Sequence, residues 1–269
     1  MARACHARRR AGADDVADIQ REATTMSIST TRDLLATAME AHGGRDRWDH
    51  ITTVRAAASI TGAVWHLKGR PDVLKEVVIT ADTQRERVTM DFPGQDKRSV
   101  FEPKRIEITT ATGELVEARD DPEAHFASQP SDAPWDDIDV AYFSGEALWT
   151  YLTTPFLYGY PGFETEQLAE PWLEDGEEWR RLDITFPDSV ASHTRKQRSY
   201  FGPDGLLRRH DYTVDILGGT AGANYAYDYR TVDGIVVPTT RTIYGYEGDH
   251  QVVREPVLVA ITLDELAFS

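Results

Sequence analysis

Residues 193–246 constrain the fold more tightly than any other stretch, because four strand-like runs are joined there by turns whose chemistry can be read directly. The run 193–201 leads into Gly202-Pro203-Asp204-Gly205. Pro203 fixes φ near about −65°, Asp204 suits the next turn position, and Gly205 accepts a positive φ. The run 206–217 follows, then the small-residue loop Gly218-Gly219-Thr220-Ala221-Gly222, then 224–232, the tight Asp233-Gly234 turn, and 235–246. Apolar-rich runs separated by such turns form an antiparallel meander.

Upstream, the same period of two recurs. Val54, Ala56, Ala58 and Ile60 alternate, and Gly62, Gly69-Arg70-Pro71, Phe92-Pro93-Gly94 and Thr112-Gly113 divide residues 51–118 into about six short strands. Two stretches carry helical spacing instead. Thr30 with Asp33 resembles an N-terminal cap, Leu34, Leu35, Ala38 and Met39 follow at helical intervals, and His42-Gly43-Gly44 ends the helix. In 135–158, Ile138, Ala141, Tyr142, Leu148, Trp149 and Leu152 share one face, with Ser144-Gly145 as a break or kink and Pro155 as the stop. Residues 120–134 read as a connector and 164–178, with seven carboxylates and no Lys or Arg, as a solvated loop. Residues 179–186 and 257–263 supply further strands.

About eleven or more antiparallel strands with two helices define an α+β fold. A sheet that wide curls strongly, and the helices must cover its concave face. That arrangement leaves an elongated apolar cavity between helices and sheet. Residues 29–269 form this single domain. Residues 1–28 read as a disordered arm, within which Met26 is an alternative start.

Composition excludes several classes of function. A formal net charge of −16 is wrong for a nucleic-acid surface. No run approaches the roughly 20 apolar residues of a membrane span. Cys5 is the only cysteine, so neither an intrachain disulfide nor a thiolate zinc site can form. No HExxH or HxH pattern marks a metal, no GxGxxG opens a helix and no GxSxG elbow exists, so no cofactor is expected. The four arginines among the first ten residues are not followed by the apolar run of a secretory signal. The expected location is therefore the cytoplasm.

Strand parity nominates site residues. In the run 206–217, Leu206, Arg208, His210, Tyr212, Val214 and Ile216 fall on one face, and its apolar members direct that face inward. Tyr225, Tyr227 and Tyr229 form a stripe on the next strand. One assignment makes these a ligand cavity, with Tyr212, Tyr225, Tyr227, Trp149 and Phe156 giving apolar contact to a hydrophobic small molecule or acyl chain. Arg208 and His210 would then meet its polar group. A second makes the protein an enzyme (a cyclase, isomerase or hydrolase) with His210 as acid or base and Tyr212 or Tyr225 as a donor to developing negative charge. A third is purely structural: strand tyrosines favoured by propensity, a satisfied histidine, and an arginine snorkelling to the rim.

Three pieces of the sequence carry a family resemblance. They are Ala41-His42-Gly43-Gly44 before Trp48, the run from Tyr200-Phe201-Gly202-Pro203-Asp204-Gly205 to His210-Asp211-Tyr212, and Val232-Asp233-Gly234-Ile235-Val236-Val237-Pro238. Together they resemble uncharacterised bacterial proteins of similar size and, more distantly, the lipoprotein-carrier superfamily typified by LolA and LolB. The resemblance spans residues 31–268 in layout. It implies an incomplete antiparallel barrel with helices as a lid, enclosing a cavity for acyl chains. Carriers of that superfamily are exported and some are lipidated, whereas this sequence shows neither a signal sequence nor a lipobox cysteine. The resemblance therefore carries over the fold and an apolar ligand, not lipoprotein shuttling.

Overall fold

The computed structural model describes Met1 and residues 33–269. The arm expected over residues 1–28 and the Thr30 cap lie outside the described residues, Met1 apart. Strands β1 (Thr53–Thr61), β2 (Val77–Asp82), β3 (Arg87–Asp91), β4 (Arg98–Glu102), β5 (Arg105–Thr109) and β6 (Leu115–Asp120) form one meander. After β7 (Glu164–Gln167) and β8 (Trp172–Glu174), a second meander runs through β9 (Glu177–Thr185), β10 (Lys196–Phe201), β11 (Leu207–Val214), β12 (Thr220–Val232) and β13 (Ile235–Glu247). The small β14 (Gln251–Val253) pairs with β13, and β15 (Val259–Phe268) lies between β13 and β1, joining the meanders. All pairings are antiparallel, and the 15-stranded sheet ends at β6 and β7 without closing into a barrel. The four strands and two tight turns expected over 193–246 are all present, with the end of the second run bent into a 3-10 turn, Asp215–Leu217, and the third strand starting earlier than expected, at Thr220.

The helices are α1 (Leu34–Ala41), α2 (Arg45–Trp48), α3 (Ala63–Leu67), α4 (Pro122–Ser128) and α5 (Asp137–Thr153). None is long and apolar enough to cross a membrane, among the described residues. α5 organises the interior. Asp136 caps it by accepting from Asp139 N–H at 2.8 Å, and the Asp139 carboxylate accepts from Asp136 N–H at 3.2 Å. Arg119 of β6 pairs with both carboxylates, pinning the helix start to the sheet. From Ile138 to Thr153 every residue is buried, so the single apolar face read from the sequence is too narrow a description. One side packs on β2 to β5. On the other, Tyr151 meets Tyr212 of β11 and Arg241 of β13. Strands from both meanders thus curl around one helix.

Gly145 does not break α5, contrary to the sequence expectation. It lets the helix approach β4: a Cβ there would lie 2.5 Å from Phe101 Cβ and 2.6 Å from Phe101 Cδ2. The connector 120–134 contains α4, started by Pro122 at its first turn. The acidic 164–178 stretch is not a loop but β7 and β8, held to β9.

The three pieces that carry the family resemblance meet in space. α1 ends at Ala41, and Gly43, with φ +116°, lies where a Cβ would overlap the Gly234 carbonyl. Val236 N–H donates to the His42 carbonyl at 3.0 Å, and Arg47 Nε donates to the Asp233 carbonyl at 2.7 Å. Gly205 packs against Ala41. These motifs therefore clamp the first helix onto two turns of the second meander.

Candidate functional site

An apolar cavity of about 320 Å3 lies between α5, α3 and the inner face of the sheet. Its wall includes Ile60, Trp65, Phe143, Leu148, Val214 and Ile261. These side chains come from β1, α3, α5, β11 and β15, so it is assembled from both meanders and the strand that joins them. Lys68, Asp132 and the 73% exposed Leu67 also contribute. Lys68 Nζ is occupied by the Ser131 and Ala133 carbonyls and sits 5.1 Å from the centre of the Trp135 ring. Burial lowers its pKa, opposed by Asp132 and Asp139.

Two polar pairs stand in this otherwise apolar wall. Glu146, inside α5, binds His193 Nδ1 at 2.6 Å. Burial raises the Glu146 pKa, and the His193 ring offsets part of that rise. The His193 ring stacks on Phe143 at 4.9 Å and lies 5.0 Å from Tyr212. With Nδ1 held by the carboxylate, Nε2 is the nitrogen left for a bound molecule. The second pair is Tyr151 and Tyr212, whose hydroxyls lie 2.5 Å apart. Burial pushes the Tyr151 phenol up to about 12 and the Tyr212 phenol well above its usual value. Both hydroxyls stay protonated and serve as hydrogen-bonding groups. Ser144 Oγ, also in the wall, has no hydrogen-bond partner among the described residues.

Of the residues nominated from the sequence, Tyr212 lines this cavity. His210 faces the same interior but is not part of the lining; it is 1% exposed, and burial followed by the Arg241 charge pulls its pKa down to about 3. Arg208 does not face inward. A bulge between Tyr200 and Phe201 sets Phe201 opposite Leu207, so Leu207 enters the main core and parity breaks at Arg208. Arg208 pairs with Glu177 and Asp204, each at 2.9 Å. Trp149 and Phe156 are buried away from the cavity: Trp149 Nε1 donates to the Asp82 carbonyl at 2.8 Å, and Phe156 stacks on Trp48 at 4.3 Å.

Tyr225 and Tyr227 lie on the opposite face of the sheet, stacked at 6.1 Å. Tyr225 joins Trp179, Tyr200 and Ala223 in a separate small core. At its centre is Arg209, fully buried, gripped by Asp211 at 2.6 and 2.8 Å and by Glu174 at 3.0 Å. The acidic stretch is thus a structural partner, supplying Glu174. A polar depression of about 670 Å3 on this face includes Asp183, Arg198, Asp211 and His250. Arg198 is already matched by Asp183 at 2.5 and 2.9 Å, and His250 by Asp211 at 2.7 Å. Though larger, it is the weaker candidate for a ligand.

The sequence reading missed Glu146, Tyr151 and Arg241. Glu146 and Tyr151 sit within a helix whose apolar periodicity gave them no distinction, and Arg241 stands between Thr240 and Thr242 with no local signal of its partners.

The fold has solved counterparts. A DUF1329 family protein from Desulfovibrio piger matches with a TM-score of 0.51 and 12% identity, over 88% of this chain and 92% of that one. A provisionally assigned outer membrane lipoprotein-sorting protein domain from Vibrio parahaemolyticus matches at 0.50 and 8% identity, over 87% and 92%. A LolA superfamily protein from Nitrosomonas europaea matches at 0.44 and 10% identity, over 86% and 93%. No protein-family profile and no curated protein matches the chain. At these identities the likeness is one of architecture: the open antiparallel sheet with covering helices is shared with the first two proteins.

Proposed function

We propose that this protein binds a hydrophobic small molecule or the acyl chain of a lipid in the cavity beside α5. The observation that carries the reading is the cavity itself: about 320 Å3, apolar over most of its wall, and within the usual range of about 300–1,000 Å3 for small-molecule sites. The fold shared with a domain named for lipoprotein sorting supports the same reading. Burial of apolar surface, at about 25 cal/mol per Å2, is the driving term.

Titration with a neutral apolar fluorescent dye tests it. Saturable binding is expected in the wild type, weakened about tenfold or more by Ala147→Trp, which fills the cavity from α5, with the circular dichroism spectrum unchanged. No saturable uptake, or uptake indifferent to Ala147→Trp, would count against the cavity.

The His193–Glu146 pair favours a second reading, an enzyme acting on an apolar substrate with His193 rather than His210 as the proton-transfer group. Hydrolysis of a chromogenic acyl ester that disappears in His193→Ala while dye binding persists would favour catalysis. Rates equal to buffer would leave binding alone.

A further inference from the structure

One positive charge in the interior lacks a counter-charge. Arg241 is 3% exposed, and among the described residues no carboxylate pairs with it. Its guanidinium donates to the Tyr151 carbonyl at 3.0 Å and to Asn224 Oδ1 at 3.4 Å, with the Tyr151 ring centre 5.0 Å from Cζ. Two acceptors therefore serve a group with five N–H donors. Arg209 shows how this fold treats a buried arginine that is only structural: Asp211 and Glu174 surround it. Leaving a buried guanidinium unmatched is strongly unfavourable.

Two neighbouring polar atoms are also unmatched. Neither His210 Nε2 nor Asn224 Nδ2 has a hydrogen-bond partner among the described residues. The three side chains occupy adjacent strands. His210 pairs with Asn224 across β11 and β12, and Arg241 faces Ala226, two residues along β12 from Asn224. His210 is held neutral by burial and by Arg241, and in its Nε2–H tautomer the ring donates from Nε2.

We infer that Arg241, His210 and Asn224 form a head-group site for a carboxylate whose apolar tail occupies the cavity. This rests on the ligand-binding reading and names the class of ligand. Leu148, Tyr151 and Ile261 line both the cavity and a void of about 10 Å3 beside Arg241. Of the three, Tyr151 contacts the Arg241 guanidinium, through its carbonyl and its ring. Rotation of its side chain away from Tyr212 opens Arg241 to the cavity and frees two hydroxyls to donate to the incoming anion. The parallel N–H groups of a guanidinium match both oxygens of a carboxylate. A neutral head group of the same length leaves the charge unmatched, which gives discrimination as well as affinity.

Decanoate and 1-decanol, compared by displacement of a neutral dye at mildly alkaline pH, test the assignment. In the wild type the acid is expected to bind about tenfold or more tighter than the alcohol, the scale of a charge-assisted contact. The ratio should fall towards one in Arg241→Gln and persist in Lys68→Met. Equal binding of acid and alcohol to the wild type overturns the head-group site and leaves the apolar cavity standing. Loss of the ratio in Lys68→Met alone also overturns it, placing the anion beside Lys68. Failure of both probes to bind removes the cavity reading and this one together. Should Arg241→Gln not fold, carbon-13 NMR of carboxyl-labelled decanoate on the wild type decides. A bound carboxyl that stays ionised below the free acid's pKa supports the site, and one that protonates at or above it overturns it.

Discussion

Replacing Gly145 by alanine sets two effects of opposite sign against each other. In a helix interior alanine is favoured over glycine by about 1 kcal/mol, so propensity alone predicts a more stable protein. The structure opposes this, because the new methyl group would lie 2.5 Å from Phe101 Cβ and 2.6 Å from its Cδ2, and closer still to Cγ. Phe101 cannot give way easily: it is fully buried, its Cβ is fixed to β4, and its ring packs 5.9 Å from Tyr142. Overpacking of this kind costs about 1–3 kcal/mol. Contact with an atom tied to the backbone places it near 3, for a net loss of about 2 kcal/mol. Urea unfolding of the wild type, Gly145→Ala, Phe101→Ala and the double variant measures the balance. A favourable coupling of about 1–3 kcal/mol is expected in the double variant, where the ring is gone. Stabilisation by Gly145→Ala would refute the reasoning and mean that α5 does not sit against β4 this closely.

Two other outcomes follow from the buried polar groups. Burial pulls the His42 pKa down to about 4 from 6.5, so below pH 6.5 the unfolded chain binds a proton that the fold refuses. The stability this confers is complete above that value and lost as pH falls towards 4. Glu86 and Glu146, raised by burial, titrate with the opposite sign, so the effect is read as a difference. His42→Gln should lose less stability than wild type between about pH 7 and pH 5, by about 2 kcal/mol, and parallel curves would contradict it. On the outer face, Asp211→Asn strips Arg209 of its bidentate partner and should cost about 3 kcal/mol by thermal unfolding, with dye binding in the cavity retained. A cost below about 1 kcal/mol would show that Glu174 alone suffices.

Much of the fold was legible because its signals are local. The Pro203-Asp204-Gly205 and Asp233-Gly234 turns fix hairpins by their own backbone preferences, and Val54 to Ile60 shows its alternation within one strand. The site was less legible because faces were assigned by counting in twos. A single bulge at Phe201 turned Arg208 outward. The stripe expected of Tyr225, Tyr227 and Tyr229 is split: Tyr225 and Tyr227 lie on the outer face, while Tyr229 packs against the main core, since β11 and β12 are buried on both sides by two separate cores. Nothing in one sequence shows a strand covered twice. Gly145 was read as a helix breaker because its reason lies in Phe101, far away in the chain. The pairing of Glu146 with His193 is non-local in the same way.

In spatial order the sheet is nearly a list of sequence neighbours, from β6 back to β1 and from β13 back to β9. The exception is the seam where Val54 meets Phe268 and Ile60 meets Ile261. Each meander can form from hairpins that close short loops, whereas the seam joins distant segments and bears the large loop-closure entropy of the fold. The cavity takes Ile60 from one side of that seam and Ile261 from the other. Cavity and closure are therefore linked: a molecule with β15 peeled away has lost one wall of the cavity, and any molecule that filled the cavity would favour the closed sheet.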